Sequence, residues 1–195
     1  TPIGRNPRPV AAVSRALGMT CIVGAVHANR VHIGGDSAGV AGLSLVVRAD
    51  KKVFRNGDFV MGFTSSFRMG QLLRYSFVPP KRHVDSDIDK FMATDFVDAV
   101  RTCLKNGGYA EKHADAERAG VFLVGYAGRL FRIESDYQVG EALDGFDAIG
   151  CGGEIALGAM FATAARSPQE RIETALRAAE RFSAGVRAPF HYETV

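Results

Sequence analysis

The sequence predicts an α+β fold, with sheets packed together and helix pairs on the outside. Three observations predict it. Short β-branched segments punctuated by turn residues come in runs. Two pairs of helical segments interrupt those runs. The resulting order is strands, helix, helix, strands, helix, helix, strand. It does not alternate as a doubly wound nucleotide-binding fold would.

The elements are justified in chain order. Residues 20–26 are small and β-branched, Ala28-Asn29 makes a turn, and residues 31–35 return as a second strand. Gly39 and Gly42 predict a loose loop. Residues 45–47, Val53-Phe54 and 59–63 read as further strands, with Asn56-Gly57 as a hairpin signal. A helix is predicted over 66–77 and ends at Pro79-Pro80. A second runs over 86–104. Its apolar face is Ile88, Phe91, Met92, Phe96, Val97, Val100 and Leu104, Ser86 caps it and Gly107-Gly108 stops it. Residues 120–126 and 129–133 form strands joined at Ala127-Gly128, and 147–149 form another. Gly150-Cys151-Gly152-Gly153 then leads into a helix over 154–165. The capping box Ser167-Pro168-Gln169-Glu170 opens a last helix with Ile172, Ala175, Leu176, Ala179 and Phe182 on one face. Gly185 ends it, and 190–194 form a final strand.

Composition bounds the function. At 195 residues, 47% hydrophobic and 23% charged, the chain is globular and sized for one domain over 20–195. No uncharged run approaches the ~18 residues of a membrane span. Three cysteines without a CxxC exclude a disulfide scaffold and a zinc finger, and suit a reducing, cytoplasmic compartment. His27, His32, His83, His113 and His191 have no metal-ligand spacing, and no GxGxxG or P-loop is present, so neither metal nor cofactor is expected.

Residues 1–19 hold three prolines, Arg5, Arg8 and Arg15, and no acid, and are expected to be disordered: a leader, a propeptide or residues foreign to the natural chain. Met19 before Thr20 has the look of a start codon. Setting those three arginines aside leaves 21 basic against 21 acidic residues. The body is neutral and has no basic stripe, so nucleic acid is not an expected partner.

One juxtaposition carries chemistry. With Ala28-Asn29 as the turn, residues summing to about 56 or 57 stand opposite each other, so Thr20 faces Asp36 at one sheet edge. Lys52 lies where the next strand returns to that edge. A hydroxyl, an ammonium and a carboxylate there supply a nucleophile, a charge that tunes it and an orienting group. Spacing alone leaves the plainer reading open. Gly35-Asp36-Ser37 is also ordinary turn chemistry, Lys51-Lys52 an ordinary solvated pair, and residues 111–118 a solvated charged stretch.

Several motifs in register resemble a known family. Met19-Thr20-Cys21-Ile22-Val23-Gly24, Ile33-Gly34-Gly35-Asp36-Ser37 and Asp50-Lys51-Lys52-Val53 are similar to the opening of proteasome β subunits and of the bacterial HslV-type peptidases. Val60-Met61-Gly62-Phe63 is similar to the strand that follows. Ala148-Ile149-Gly150-Cys151-Gly152-Gly153 and Glu180-Arg181-Phe182-Ser183-Ala184-Gly185 resemble two later segments. The resemblance covers residue 20 to the end of the chain.

It implies the four-layer αββα sandwich of N-terminal nucleophile hydrolases. It also implies a threonine endopeptidase with the Thr20 hydroxyl as nucleophile, the freed Thr20 amine as base, and Lys52 and Asp36 as the tuning pair. The Ser66 N–H would be the oxyanion donor, with Glu180 and Ser183 closing the network around the amine. Val40 would offer a peptide-pairing edge, and Asp50, Phe54, Thr64 and Arg68 would line the substrate pocket. The implied assembly is a homo-oligomeric ring taking peptide or unfolded-protein substrate, fed by an ATP-driven unfoldase. Two other readings stay open: a non-catalytic ring or scaffold subunit, and an amidase acting on small amides. Cys21 beside Thr20 is a rival nucleophile or, more simply, a buried strand cysteine.

Departures from the pattern are specific. Cys151 stands for a serine, Ser65-Ser66 for Ala-Gly-Gly, Glu180 for an aspartate and Cys21 for a threonine. Thr20 is preceded by 19 residues, so its nitrogen is an amide until the chain is processed.

Overall fold

The computed structural model describes residues 19–109, 111–113 and 116–195, and the expected arm lies outside them except for Met19. Strands β1 (Ile22–His27) and β2 (Arg30–Gly35) form a hairpin whose turn residues Ala28 and Asn29 both take positive φ. That conformation matches the strands' twist. β3 (Ala38–Ala41), in the segment expected to be a loop, forms a second hairpin with β4 (Ser44–Val47), which contains the strand expected over 45–47. Gly42, at φ +60, makes its tight turn, so this glycine builds a hairpin rather than loosening one. β5 (Val53–Asn56) and β6 (Phe59–Phe63) follow, then α1 (Phe67–Tyr75).

The expected long helix is α2 (Ile88–Phe91), a π turn (Met92–Phe96) and α3 (Val97–Asn106). Its cap is Asp87, which accepts from the Lys90 N–H at 2.8 Å; the Ser86 hydroxyl instead donates to His83 O. Within the wider turn the Thr94 hydroxyl donates to the Lys90 carbonyl at 2.7 Å, the acceptor its own amide would use in a regular helix. β7 (Glu111–His113) and β8 (Ala116–Arg118) form a short hairpin from the charged stretch. β9 (Phe122–Tyr126), β10 (Arg129–Ile133), β11 (Val139–Glu141) and β12 (Phe146–Ile149) lead to α4 (Gly153–Ala162), α5 (Pro168–Phe182) and β13 (His191–Thr194). The short β11 escapes sequence reading because its three residues carry no alternating pattern. The capping box at Ser167 forms with both halves in place.

Two antiparallel sheets organise these strands, in the orders β12-β1-β2-β13 and β11-β10-β9-β6-β5. Two apolar clusters join them to the helices, and a third joins sheet to sheet. Val23, Ala25 and Ala148 pack against Ala156, Met160, Ile172 and Leu176 of α4 and α5. Ile22, Ile33, Val53, Val60, Leu123 and Leu130 pack sheet to sheet. Phe54, Phe59, Met61 and Phe63 pack against Leu72, Leu73, Phe91, Phe96 and Val100 of α1 to α3. Each large buried side chain contributes about 1.5–3 kcal/mol of burial free energy.

The sheets meet closely. A Cβ at Gly62 would lie 2.5 Å from Ile22 Cγ2, so only glycine permits this approach. The α5 stripe holds at Ile172, Ala175, Leu176 and Ala179 but not at Phe182, which is exposed because it is the last helical residue, one before the Ser183 cap.

Candidate active site

The β1–β2 register sums to 57, with Ile22 opposite Gly35. Extended by one step it sets Asp36 against Cys21 rather than Thr20: the Asp36 N–H donates to Cys21 O, and the Cys21 N–H donates to Asp36 Oδ1 at 3.0 Å. Thr20 is joined to the pair through Lys52. The strand β5 begins one residue after Lys52, whose carbonyl accepts from the Phe63 N–H in continuation of the β5–β6 ladder. Its Nζ donates to Asp36 Oδ1 at 2.7 Å and to Thr20 Oγ1 at 2.8 Å.

The three side chains are sealed from water: Asp36 is 0%, Lys52 1% and Thr20 4% exposed. A carboxylate at zero exposure needs every lone pair met. Oδ1 takes Cys21 N–H and Lys52 Nζ; Oδ2 takes Ala38 N–H at 2.9 Å and Arg187 N–H at 3.1 Å. Burial pulls Lys52 below its ordinary value of 10.5, and the Asp36 carboxylate partly opposes that. The Thr20 hydroxyl donates in turn to the Met19 carbonyl at 2.6 Å. It is therefore held between an ammonium and the carbonyl of the peptide bond preceding it.

The other implied residues divide. Cys151 Sγ lies 3.6 Å from Thr20 O and 3.2 Å from Ser183 Oγ, so Ser183 reaches the Thr20 surroundings through Cys151. Glu180 makes no bond there; its Oε1 accepts from the Ala188 N–H at 2.8 Å. Cys21 is fully buried against the α4–α5 cluster, and burial, with the neighbouring Asp36 charge, pushes its thiol far above the usual range. That environment suits a packed thiol and not a nucleophile.

The turn at residues 64–66 differs from its implied form. The Ser66 N–H, expected to point at substrate, donates to Thr64 O at 2.9 Å across a γ-turn centred on Ser65 at φ +73. Ser66 Oγ caps α1 instead. The strained turn is tied down by the Thr64 N–H to Val121 O and by the Val121 N–H to Ser65 Oγ at 3.2 Å. Thr64 is 4% exposed, and its Oγ1 has no hydrogen-bond partner among the described residues.

A cleft between the Asp50-Lys51 turn and α1 is floored by Phe63 and Phe67, and Phe67 stands 5.7 Å from Lys52 Nζ. Of the five residues expected to bind substrate, only Asp50 lines it. Asp50 holds Arg48 in a two-pronged pair at 2.7 Å, and the Arg48 guanidinium lies 3.8 Å over the Phe67 ring. Phe54 belongs to the core beneath, against Phe63 and the Arg74 guanidinium. Arg68 reaches away to Gly107 O, and Val40 pairs with Leu45 inside the β3–β4 hairpin. Sequence reading missed the Arg48–Phe67 stack and the Arg187 amide. Neither carries a local motif, since both depend on segments remote in the chain. Among the described residues no cluster of His, Cys, Asp and Glu could hold a metal ion, and no helix is long and apolar enough to cross a membrane.

No protein-family model matches the chain, and no curated protein matches it. Solved structures do. A structure of Thiobacillus denitrificans BPH in complex with epoxomicin is 21% identical at a TM-score of 0.75, over 90% of this chain and 98% of that one. The eukaryotic HslV from Trypanosoma brucei is 19% identical at 0.65, over 90% and 98%. Anbu (ancestral beta-subunit) from Yersinia bercovieri is 15% identical at 0.62, over 90% and 81%. These likenesses show an HslV- and proteasome-like fold.

Proposed function

We propose that the protein is a threonine peptidase of the proteasome-like class, its architecture an αββα sandwich and its nucleophile Thr20. The observation that carries this reading is the buried chain Asp36–Lys52–Thr20, at 2.7 and 2.8 Å. Freed of Met19, Thr20 brings an amine whose ordinary pKa is about 8. The amine takes the hydroxyl proton through a water as Oγ1 attacks the scissile carbonyl. Lys52 stabilises the developing alkoxide, and Asp36 holds Lys52 in place. Collapse of the tetrahedral adduct breaks the C–N bond, the leaving amine takes the proton, and an ester to Thr20 remains. Water activated by the same amine hydrolyses that ester and regenerates the hydroxyl.

The site works only after the bond between Met19 and Thr20 is cut. Where the natural chain starts at Met19, a methionine aminopeptidase performs that cut; where residues precede Met19, Thr20 itself performs it, and its hydroxyl already lies 2.6 Å from the Met19 carbonyl oxygen. The proposal includes the assembly that the sequence resemblance implies, a homo-oligomeric ring supplied by an ATP-driven unfoldase. A non-catalytic ring subunit is the second reading, favoured by the inward-turned Ser66 N–H.

One comparison separates the readings. Protein beginning at Thr20 hydrolyses fluorogenic peptides and is labelled by an epoxyketone of the epoxomicin type; Thr20→Ala loses both and keeps its fold and native mass. If protein with a proven free Thr20 ignores both reagents, the subunit is a scaffold. If it hydrolyses small amides but no peptide, it is an amidase.

A further inference from the structure

The implied place of Glu180 is beside the Thr20 amine, yet its carboxylate faces another way. Three of the four donors on Asp36 come from the strand framework: the Cys21 and Ala38 amides and the Lys52 ammonium. The fourth, the Arg187 N–H, comes from the irregular segment between α5 and β13. That segment leans on the Asp36-Ser37 turn: the Ser37 N–H donates to Arg187 O at 2.8 Å, and Ser37 Oγ donates to Pro189 O at 2.6 Å. On its other side Val186 is buried in the α4–α5 cluster, and beyond it the Ala188 N–H is held by Glu180, on the last turn of a helix anchored by Ile172, Ala175, Leu176 and Ala179.

We propose that Glu180 is a positioning residue for Asp36, acting through the Ala188 and Arg187 backbone. This rests on the reading of Thr20, Lys52 and Asp36 as the active site. The bond from Ala188 needs only an acceptor oxygen. A glutamine supplies that oxygen without the charge. A carboxylate working beside the Thr20 amine would instead need its charge, and glutamine would fail there as alanine does. Losing the brace frees Arg187 to withdraw from Asp36, leaves a fully buried carboxylate short of one donor and loosens the Lys52–Thr20 geometry. The expected deficit is therefore in turnover and not in substrate affinity.

The test compares wild type, Glu180→Ala and Glu180→Gln, all beginning at Thr20. It follows amide hydrogen exchange of residues 186–190 and steady-state hydrolysis of a fluorogenic peptide. Glu180→Ala should speed exchange about tenfold and lower kcat about tenfold with KM little changed. Glu180→Gln should return both to near wild type. Failure of Glu180→Gln alongside Glu180→Ala overturns the brace, as does faster exchange in Glu180→Ala with kcat unchanged. If wild type cleaves no peptide, the peptidase reading fails by itself. The exchange arm then still decides whether Glu180 holds the segment: unchanged exchange in Glu180→Ala overturns the brace, and faster exchange with recovery in Glu180→Gln supports it.

Discussion

Asp36 and Lys52 take their places from strand ladders and satisfy one another in a sealed interior, whereas the turn at residues 64–66 is strained, holds a hydroxyl with no partner among the described residues and closes the Ser66 N–H onto its own Thr64 carbonyl. In the proposed peptidase the charged half is assembled before substrate arrives. The half that would receive the substrate oxygen in the proposed peptidase holds the Thr64 hydroxyl, without a partner among the described residues. Pre-organising the charges matters more, because a buried ion pair assembled late would incur its desolvation during the reaction. A backbone amide is reoriented by a peptide rotation alone.

Asp36→Ala probes the charged half and should have the largest effect. It strands the Lys52 ammonium at 1% exposure, so hydrolysis should vanish and stability fall by about 3–5 kcal/mol, read by urea unfolding. A loss below ~1 kcal/mol would mean that the pair is not sealed.

The pH profile comes next. Activity should climb as the Thr20 amine loses its proton near about pH 8. It should fall again where Lys52 deprotonates, on a limb below the ordinary lysine value of 10.5. For stability the sign follows from the lowered folded pKa. Between that value and 10.5 the unfolded chain binds more protons, so this group's contribution rises with pH across the window. Rate and stability from this one residue should therefore move in opposite directions on the alkaline side.

The strained half should respond less. At φ +73, Ser65→Gly keeps the turn and should stay within about 1 kcal/mol of wild type. Ser65→Val should lose about 1–3 kcal/mol, since a β-branched side chain resists that conformation. Equal melting temperatures for the two variants would show that the turn is not strained.

Much of this was legible in the sequence, because local rules governed it. The turn at Ala28-Asn29 set a register that brought Thr20 and Asp36 to one edge, and the return of the next strand brought Lys52 there. Pairing Asp36 with Cys21 instead of Thr20 was a one-residue matter that only the ladder decides. The direction of Glu180, the Arg187 amide on Asp36 and the inward Ser66 N–H were not legible. Each depends on how segments far apart in the chain meet. The cleft shows the same limit: Phe54 alternates into the core, while Phe67 emerges on the first turn of α1.

The central claim is a free amine and a hydroxyl on one threonine, and it is tested most directly by reading the N-terminus of active protein. Two preparations, one retaining Met19 and one beginning at Thr20 as verified by intact mass, are assayed side by side on the same fluorogenic peptide. Hydrolysis confined to the protein that starts at Thr20 is the predicted result. Equal hydrolysis with Met19 still attached would contradict the account, because that nitrogen is an amide and cannot take the proton.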